Sequence, residues 1–321
     1  MKEKQKFALI GVGGYIAPRH LSSIKETGNE LKASFDMNDS VGILDKYFPE
    51  ASFFTEFERF DRHIYKLFNN GPKEKINYFS ICSPNYLHDS HIRFALRSEA
   101  NVICEKPLVL NPWNIDGIID LEKQTGCKVN TILQLRLHPA IRKLKDEIKK
   151  DFTSKKYEIE LTYITSRGNW YLQSWKGDEK KSGGIATNIG IHFFDVLHYL
   201  FGKTISSETY LNNDIKAAGF LNLEHANVKW FLSIDKNDLK IGSSAKGIQT
   251  FRSMKINERE VEFSTGFEDL HFQSYQQILS GNGFGVEETR EAITTVSNIR
   301  RQNTIKMQEI SDSFFIKKME E

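Results

Sequence analysis

Lys6-Phe7-Ala8-Leu9-Ile10-Gly11-Val12-Gly13-Gly14-Tyr15-Ile16-Ala17 is an apolar run of strand type that ends on glycines and passes directly into helix-forming sequence. In that context a Gly-x-Gly pair carries meaning. Gly11 permits a tight turn, Gly13 allows backbone to approach a pyrophosphate, and the N–H groups of the following helix meet negative charge. Ile16 stands at the third glycine of the usual spacing, so the glycines alone also fit an ordinary turn. The next apolar run, Leu31–Phe35, leads into Asp36. That acid lies about 20 residues beyond the glycines, where a carboxylate accepts the ribose hydroxyls of a dinucleotide. Together the two features select dinucleotide binding. An acid there also repels a 2′-phosphate, and Met37, Asn38 and Asp39 supply no arginine to receive one, so NAD is expected in preference to NADP.

Outward from this motif, short apolar runs alternate with helical stretches as far as residue 133. The runs are Lys6–Ile10, Leu31–Phe35, Asn77–Cys82, Asn101–Cys104 and Lys128–Leu133. Such alternation is the mark of βαβ units and a parallel sheet. From Tyr157 the texture changes to strands with polar alternation, Tyr157–Thr165, Glu224–Ile234, Ser253–Ile256 and Glu260–Phe263, which suits a sheet packed on one face and wetter on the other. Ser274–Leu279 and Glu287–Arg300 read as closing helices, and the charged stretch from Arg142 to Lys156 as a solvated helix and turn. The expected fold is α/β: an N-terminal Rossmann domain over residues 1–133, then an α+β domain with a largely antiparallel open sheet over residues 134–321.

With 321 residues, 44 basic and 42 acidic side chains and a net charge of +2, the chain is long enough for two domains and carries no footprint for nucleic acid. An anionic partner must be met by locally placed cations. Cys82, Cys104 and Cys127 are odd in number and lack Cys-x-x-Cys spacing, so neither a disulfide nor a metal site is expected. No apolar run reaches the ~18 residues of a membrane span, and four polar or charged residues lead straight into the first strand, so a cytoplasmic protein without membrane partners is expected.

Later strand ends are polar where ligands of open α/β sheets sit. Ser80-Ile81-Cys82 runs into Ser83-Pro84-Asn85-Tyr86-Leu87-His88, and Asn101-Val102-Ile103-Cys104 into Glu105-Lys106-Pro107. Singly, each cluster is also turn and capping chemistry. The expected cofactor-contacting set is Gly11, Gly13, Gly14, Tyr15, Ile16, Asp36, Asn38, Ser83, Pro84, Asn85, His88, Glu105, Lys106 and Gln134. In the second half, residues 183–200 read as a helix opening after Gly183-Gly184. Ile189, Phe193, Val196, Leu197 and Leu200 form its apolar stripe, and Asn188, His192, Asp195 and Tyr199 share an adjacent face. A histidine near a substrate hydroxyl is a natural general base for alcohol oxidation. The plainer alternative is a His192–Asp195 pair in the core, with Lys106 a solvated strand-end lysine.

Glu105-Lys106-Pro107 after a Rossmann strand, with a later Gly-Gly…Gly-x-His-x-x-Asp helix, resembles the glucose-fructose oxidoreductase/inositol dehydrogenase (Gfo/Idh/MocA) family. The strings at 13–20, 80–88, 102–109 and Leu161-Thr-Tyr-Ile-Thr-Ser-Arg-Gly-Asn-Trp-Tyr171 are similar to its branch acting on UDP-N-acetyl-glucosaminuronate. The resemblance runs from Phe7 to about Arg300. It implies NAD-dependent oxidation of the sugar 3-hydroxyl, serving synthesis of diacetamido-mannuronate for bacterial surface polysaccharide. Lys106 and His192 would be catalytic, and Lys106, Arg167, Tyr171, Asn188 and His192 would contact the UDP-sugar acid. It also implies a homo-oligomer, a tetramer built through the second sheet. Asn188 departs from the aspartate of many members, so it hydrogen-bonds but cannot take a proton, which leaves His192 or Lys106 as the base. The alternatives are another sugar or cyclitol as substrate, or a non-catalytic NAD-binding sensor. Loss of the lysine or the histidine would mark the sensor, and both are present.

Overall fold

The computed structural model describes residues 4–150, 155–241, 249–261, 266–267, 269–305, 312, 314–315 and 318. They form two compact units. One holds the chain up to Leu137 together with Phe267–Arg290, and the other holds His138–Gly266 with the chain from Glu291 onward.

In the first unit, β1 (Lys6–Ile10), β2 (Glu30–Phe35), β3 (Ser52–Phe54), β4 (Tyr78–Ile81), β5 (Asn101–Cys104) and β6 (Val129–Thr131) pair in parallel in the order β6-β5-β4-β1-β2-β3. The order reverses between β1 and β4, and beside that reversal lie the carboxyl ends where doubly wound sheets bind ligands. Phe7, Ala8, Leu9 and Ile10 are all buried because helices cover both faces, which is why the strand is an unbroken apolar run. β3 escapes the sequence reading: it has three residues, sits at the sheet edge and buries none of them fully.

The division at 133/134 is corrected by packing. Helix Leu270–Leu279 returns to the first unit, where Tyr275 and Ile278 join a core with Phe7, Leu9, Leu21, Ile24 and Ile103. Phe284–Gly285 then adds a short antiparallel strand beside β6. Buried Arg136 ties this return down through a 2.8 Å bond to Glu288 and a stack on Phe284. Of the two closing helices read from sequence, the first therefore serves the N-terminal unit. The second runs from Arg290 to Arg301 after a single 3₁₀ turn, Glu287–Thr289.

In the second unit, β7 (Tyr157–Thr165), β8 (Thr204–Asn212), β9 (Lys216–Leu223), β10 (Ala226–Ser233), β11 (Thr250–Ile256) and β12 (Arg259–Glu260) lie in the order β12-β11-β7-β10-β9-β8. Only the β7–β10 pair is parallel, so the largely antiparallel open sheet expected from sequence is present. Helix Ile191–Phe201 covers one face through ring contacts of Phe193 with Tyr163, Phe194 with Trp230 and Phe201 with Tyr157. β8 and β9 are missing from the sequence reading for different reasons. β8 is a polar, half-exposed edge. β9 carries Ala217-Ala218-Gly219, poor strand formers, because Trp230 lies across Gly219, and a Cβ there would fall 2.2 Å from the Glu208 carbonyl and 2.7 Å from the indole. The predicted strand Glu260–Phe263 is shorter, ending at Glu260; residues 262–263 lie outside the described residues, as do 151–154 of the charged stretch, whose described part is helix Pro139–Lys150.

Candidate active site

The first unit gathers the predicted cofactor residues at the carboxyl ends of its strands. Gly11 has φ +96°, and a Cβ on it would lie 2.6 Å from the Ser83 nitrogen, so the glycine loop after β1 closes on the loop after β4 only without a side chain. Helix Ala17–Glu26 follows with Pro18 in its first turn, where the missing N–H costs nothing. Tyr15 is almost fully exposed and Ile16 half-buried, so Ile16 in place of the third glycine is accommodated.

Asp36 follows β2 and faces this loop. Its Oδ2 accepts the Gly13 N–H at 2.9 Å, and its Oδ1 accepts the Asn38 backbone N–H at 2.9 Å. The carboxylate therefore orders the loop and stands where a ribose diol would be read. Asp36→Ala is expected to weaken NAD binding by about 1–3 kcal/mol, the range for hydrogen bonds to a charged acceptor, and to relax discrimination against NADP. Titration of both cofactors by fluorescence checks it; unchanged affinity for both would remove Asp36 from the site.

At the end of β4, Ser83 donates or accepts with His91 Nδ1 at 2.9 Å, and Asn85 is buried. His88 is buried too, with Nδ1 on the Pro107 carbonyl at 2.7 Å and Nε2 on the Ser83 carbonyl at 2.8 Å. Both ring nitrogens thus face backbone carbonyls, and because burial lowers its pKa the neutral ring has one N–H to give to one of them. His88 lies between two strand-end loops, where the sequence reading has it touching the cofactor. Glu105 at the end of β5 is buried and takes hydrogen bonds from His20 and His271, while Lys106 beside it is half-exposed. Burial opposes ionisation of Glu105, but the His20 and His271 hydrogen bonds outweigh it and hold the carboxyl well below its usual range. The ligand atoms of His20, Glu105 and His271 fall within 4.8 Å of one another, yet each imidazole Nε2 is already bonded to the carboxylate.

Just past β6, Gln134 opens a 3₁₀ turn, and its Oε1 and the Oγ1 of Thr131 are buried with no partner among the described residues. An unpaired buried acceptor costs about 1–3 kcal/mol, so a ligand bringing a donor to this strand end relieves it. A glycine loop that only glycine fits, an acid that orders it and orphaned acceptors three strands from that loop suit a dinucleotide.

The second unit carries the other predicted residues. The helix expected across 184–200 is broken: Gly184–Asn188 stops, and Ile191–Phe201 begins after Ile189-Gly190. A Cβ on Gly190 would lie 2.5 Å from the Ala186 carbonyl and 2.6 Å from Leu232, so the break lets the backbone close onto β10. The apolar stripe Ile189, Phe193, Val196, Leu197 and Leu200 is buried as expected. Asp195 is buried with it, His192 is half-exposed, and Tyr199 is stacked under Lys145. Asn188 donates to the Tyr171 hydroxyl at 2.5 Å. Burial raises the Tyr171 phenol, opposed by the Asn188 bond and the Arg167 charge, and keeps it neutral. Arg167 is exposed at the end of β7, its backbone N–H on the Ile234 carbonyl, and its guanidinium forms no ion pair among the described residues. Trp170 is 53% exposed and Trp175 half-exposed, so neither is a core residue, and Lys176 stacks on both rings.

Sequence reasoning missed His20, His271 and Tyr275. His20 ends the string at 13–20, a signal that was available; His271 and Tyr275 lie in the return segment, where periodicity gives no hint of a polar site.

Residues 5–132 match the family model described as an oxidoreductase family with an NAD-binding Rossmann fold, and residues 155–222 match that family's C-terminal alpha/beta domain. Among solved structures, the WlbA (WbpB) dehydrogenase of Thermus thermophilus in complex with NAD and UDP-GlcNAcA is 47% identical, covering 94% of this chain and 96% of that one, with a TM-score of 0.90. The same enzyme in complex with NAD and alpha-ketoglutarate matches with a TM-score of 0.89 at the same identity and coverage. Glucose-6-phosphate 3-dehydrogenase of Bacillus subtilis is 25% identical over 66% of this chain and 59% of its own length. The chain spans between a third and three fifths of the first curated relatives it matches. Two domain models in the right order, laid over the same strand-end chemistry, make this chain a member of the Gfo/Idh/MocA oxidoreductase family, with an NAD-binding Rossmann domain.

Proposed function

We propose that the protein oxidises the sugar 3-hydroxyl of UDP-GlcNAcA to the 3-keto sugar with NAD. The observation that carries this reading is the 47% identity, over 94% of the chain, to an enzyme seen with both NAD and UDP-GlcNAcA.

NAD, when bound, supplies the hydride acceptor, so the substrate carbon loses two electrons with its hydride and the hydroxyl loses a proton. Gly11, Gly13, Gly14, Asp36, Asn38, Ser83, Asn85 and Gln134 would hold the cofactor, with His88 and Glu105 supporting the loops. The Lys106 ammonium steadies the developing alkoxide, and His192 takes the hydroxyl proton. Asn188 has no basic atom; its amide holds the Tyr171 hydroxyl, and the pair lines the sugar site. Arg167, an exposed cation after β7, takes the uronate carboxylate.

Reoxidation of NADH by a 2-oxo acid is part of the proposal, supported by the alpha-ketoglutarate complex of the Thermus thermophilus enzyme. So are a homotetramer built through the second sheet, a cytoplasmic location and a role in surface polysaccharide synthesis. Among the described residues no helix is long and apolar enough to cross a membrane. The test is incubation with NAD and a panel of UDP-sugars and free sugars, with and without a 2-oxo acid, read by NADH absorbance and keto-sugar mass. A keto product from UDP-GlcNAcA supports the reading. Turnover of free sugars alone, or of no substrate, overturns it.

A further inference from the structure

Beneath Lys106 the first unit holds a buried polar network that the steps above leave unused. Oε1 of Glu105 takes Nε2 of His20 at 3.1 Å and Nε2 of His271 at 2.9 Å. Oε2 accepts the backbone N–H of Lys106 at 3.2 Å. On the far side, Nδ1 of His20 meets the Tyr275 hydroxyl at 2.8 Å, which meets Ser80 Oγ at 2.6 Å. Four elements are joined: β4, helix Ala17–Glu26, the end of β5 and helix Leu270–Leu279.

The two imidazoles saturate one carboxylate oxygen and leave the other for Lys106. His271 Nδ1 is buried with no partner among the described residues. A charged ring would bury a second N–H with nothing to receive it, so the ring is neutral with its proton on Nε2, and burial lowers its pKa in the same sense. For His20, Nε2 points its proton at Glu105 in either charge state. From the other direction His88 grips the Pro107 carbonyl at 2.7 Å. The Lys106-Pro107 stretch is thus contacted at the Lys106 N–H and at the Pro107 carbonyl. A lysine on a flexible four-carbon stem gains aim only when its backbone is fixed and its surroundings are locked.

We propose that His20, His271 and Tyr275 are positioning residues that act through Glu105 to fix the backbone of Lys106. The proposal rests on the reading of Lys106 as the group that touches the reacting hydroxyl. Glu105→Gln keeps the volume but sets an NH₂ against either the imidazole N–H groups or the Lys106 N–H. His271→Ala removes one donor, and His271→Gln returns an N–H at similar reach. Glu105→Gln and His271→Ala are each expected to lower kcat at least ~10-fold, as small misplacements of a reacting group do, with NAD affinity within ~3-fold of wild type. His271→Gln should regain most of the loss.

Two readouts need no substrate. Side-chain ¹⁵N spectra at pH 7 should show His271 neutral with its proton on Nε2, and the Lys106 backbone amide resonance should move in His271→Ala and return in His271→Gln. If these hold while wild type oxidises no UDP-sugar acid, the substrate assignment fails and the network stands. The proposal is overturned by an unmoved Lys106 amide, by kcat per folded molecule unchanged in His271→Ala, or by equal losses in the Ala and Gln variants. A stoichiometric divalent metal in the purified protein that His271→Ala removes also overturns it, since the three side chains would then be ligands.

Discussion

Lys106→Met and His192→Asn are each expected to lower turnover of UDP-GlcNAcA at least ~100-fold while NAD affinity stays nearly constant, because positioned acid–base groups contribute ~10²–10⁴-fold and neither residue is assigned to the pyrophosphate. Met keeps the length of the lysine stem and removes only the ammonium. Asn keeps a hydrogen-bonding amide and removes only basicity. Single-turnover NADH formation with NAD prebound isolates the chemical step. A folded His192→Asn with a near-normal rate would move the base role to Lys106, and near-normal rates in both variants would remove the proposed mechanism. His192 is half-exposed and Asp195 is buried.

Arg167→Met carries the second large effect, and it is selective. The substrate acid differs from neutral UDP-N-acetylglucosamine by one carboxylate, and the forked guanidinium suits bidentate carboxylate binding. With no ion pair among the described residues to compete, Arg167 would meet the substrate carboxylate without breaking an existing ion pair. The expected loss lies within the range for a charge-assisted hydrogen bond, about 2–3 kcal/mol in kcat/KM on the acid, roughly 30- to 150-fold. The neutral sugar should change little, so the ratio of the two constants measures the effect. Equal losses on both substrates, or on neither, would make Arg167 structural.

What the sequence discloses follows the range of the interactions. The glycine loop, Asp36 and the strand ends at Ser83 and Glu105 are local features, and each stands where its motif places it. β3 and β8 were hidden because edge strands need little apolar surface, and β9 because its Ala-Ala-Gly is shaped by Trp230 on a neighbouring strand. The break at Gly190 is likewise set by Leu232, outside the helix it interrupts. His88 shows the converse case. Its position after β4 reads as a ligand contact, and only the structure shows both of its ring nitrogens facing backbone carbonyls of the strand-end loops.

The return of residues 267–290 to the first unit sets a schedule for synthesis. Between Leu137 and Phe267 the ribosome must deliver the bulk of the other unit before Tyr275 can enter the N-terminal core and Phe284–Gly285 can cap β6. At ~5–20 residues per second, the roughly 150 residues between Leu137 and Arg290 take about 8–30 s. For that interval the nascent Rossmann sheet has an open edge at β6 and an unfilled slot beside Phe7, the kind of exposed strand and apolar surface that invites mispairing. A chain ended at Leu137 would keep both defects permanently, so its solubility is expected to depend on Phe267–Arg290 supplied as a separate peptide.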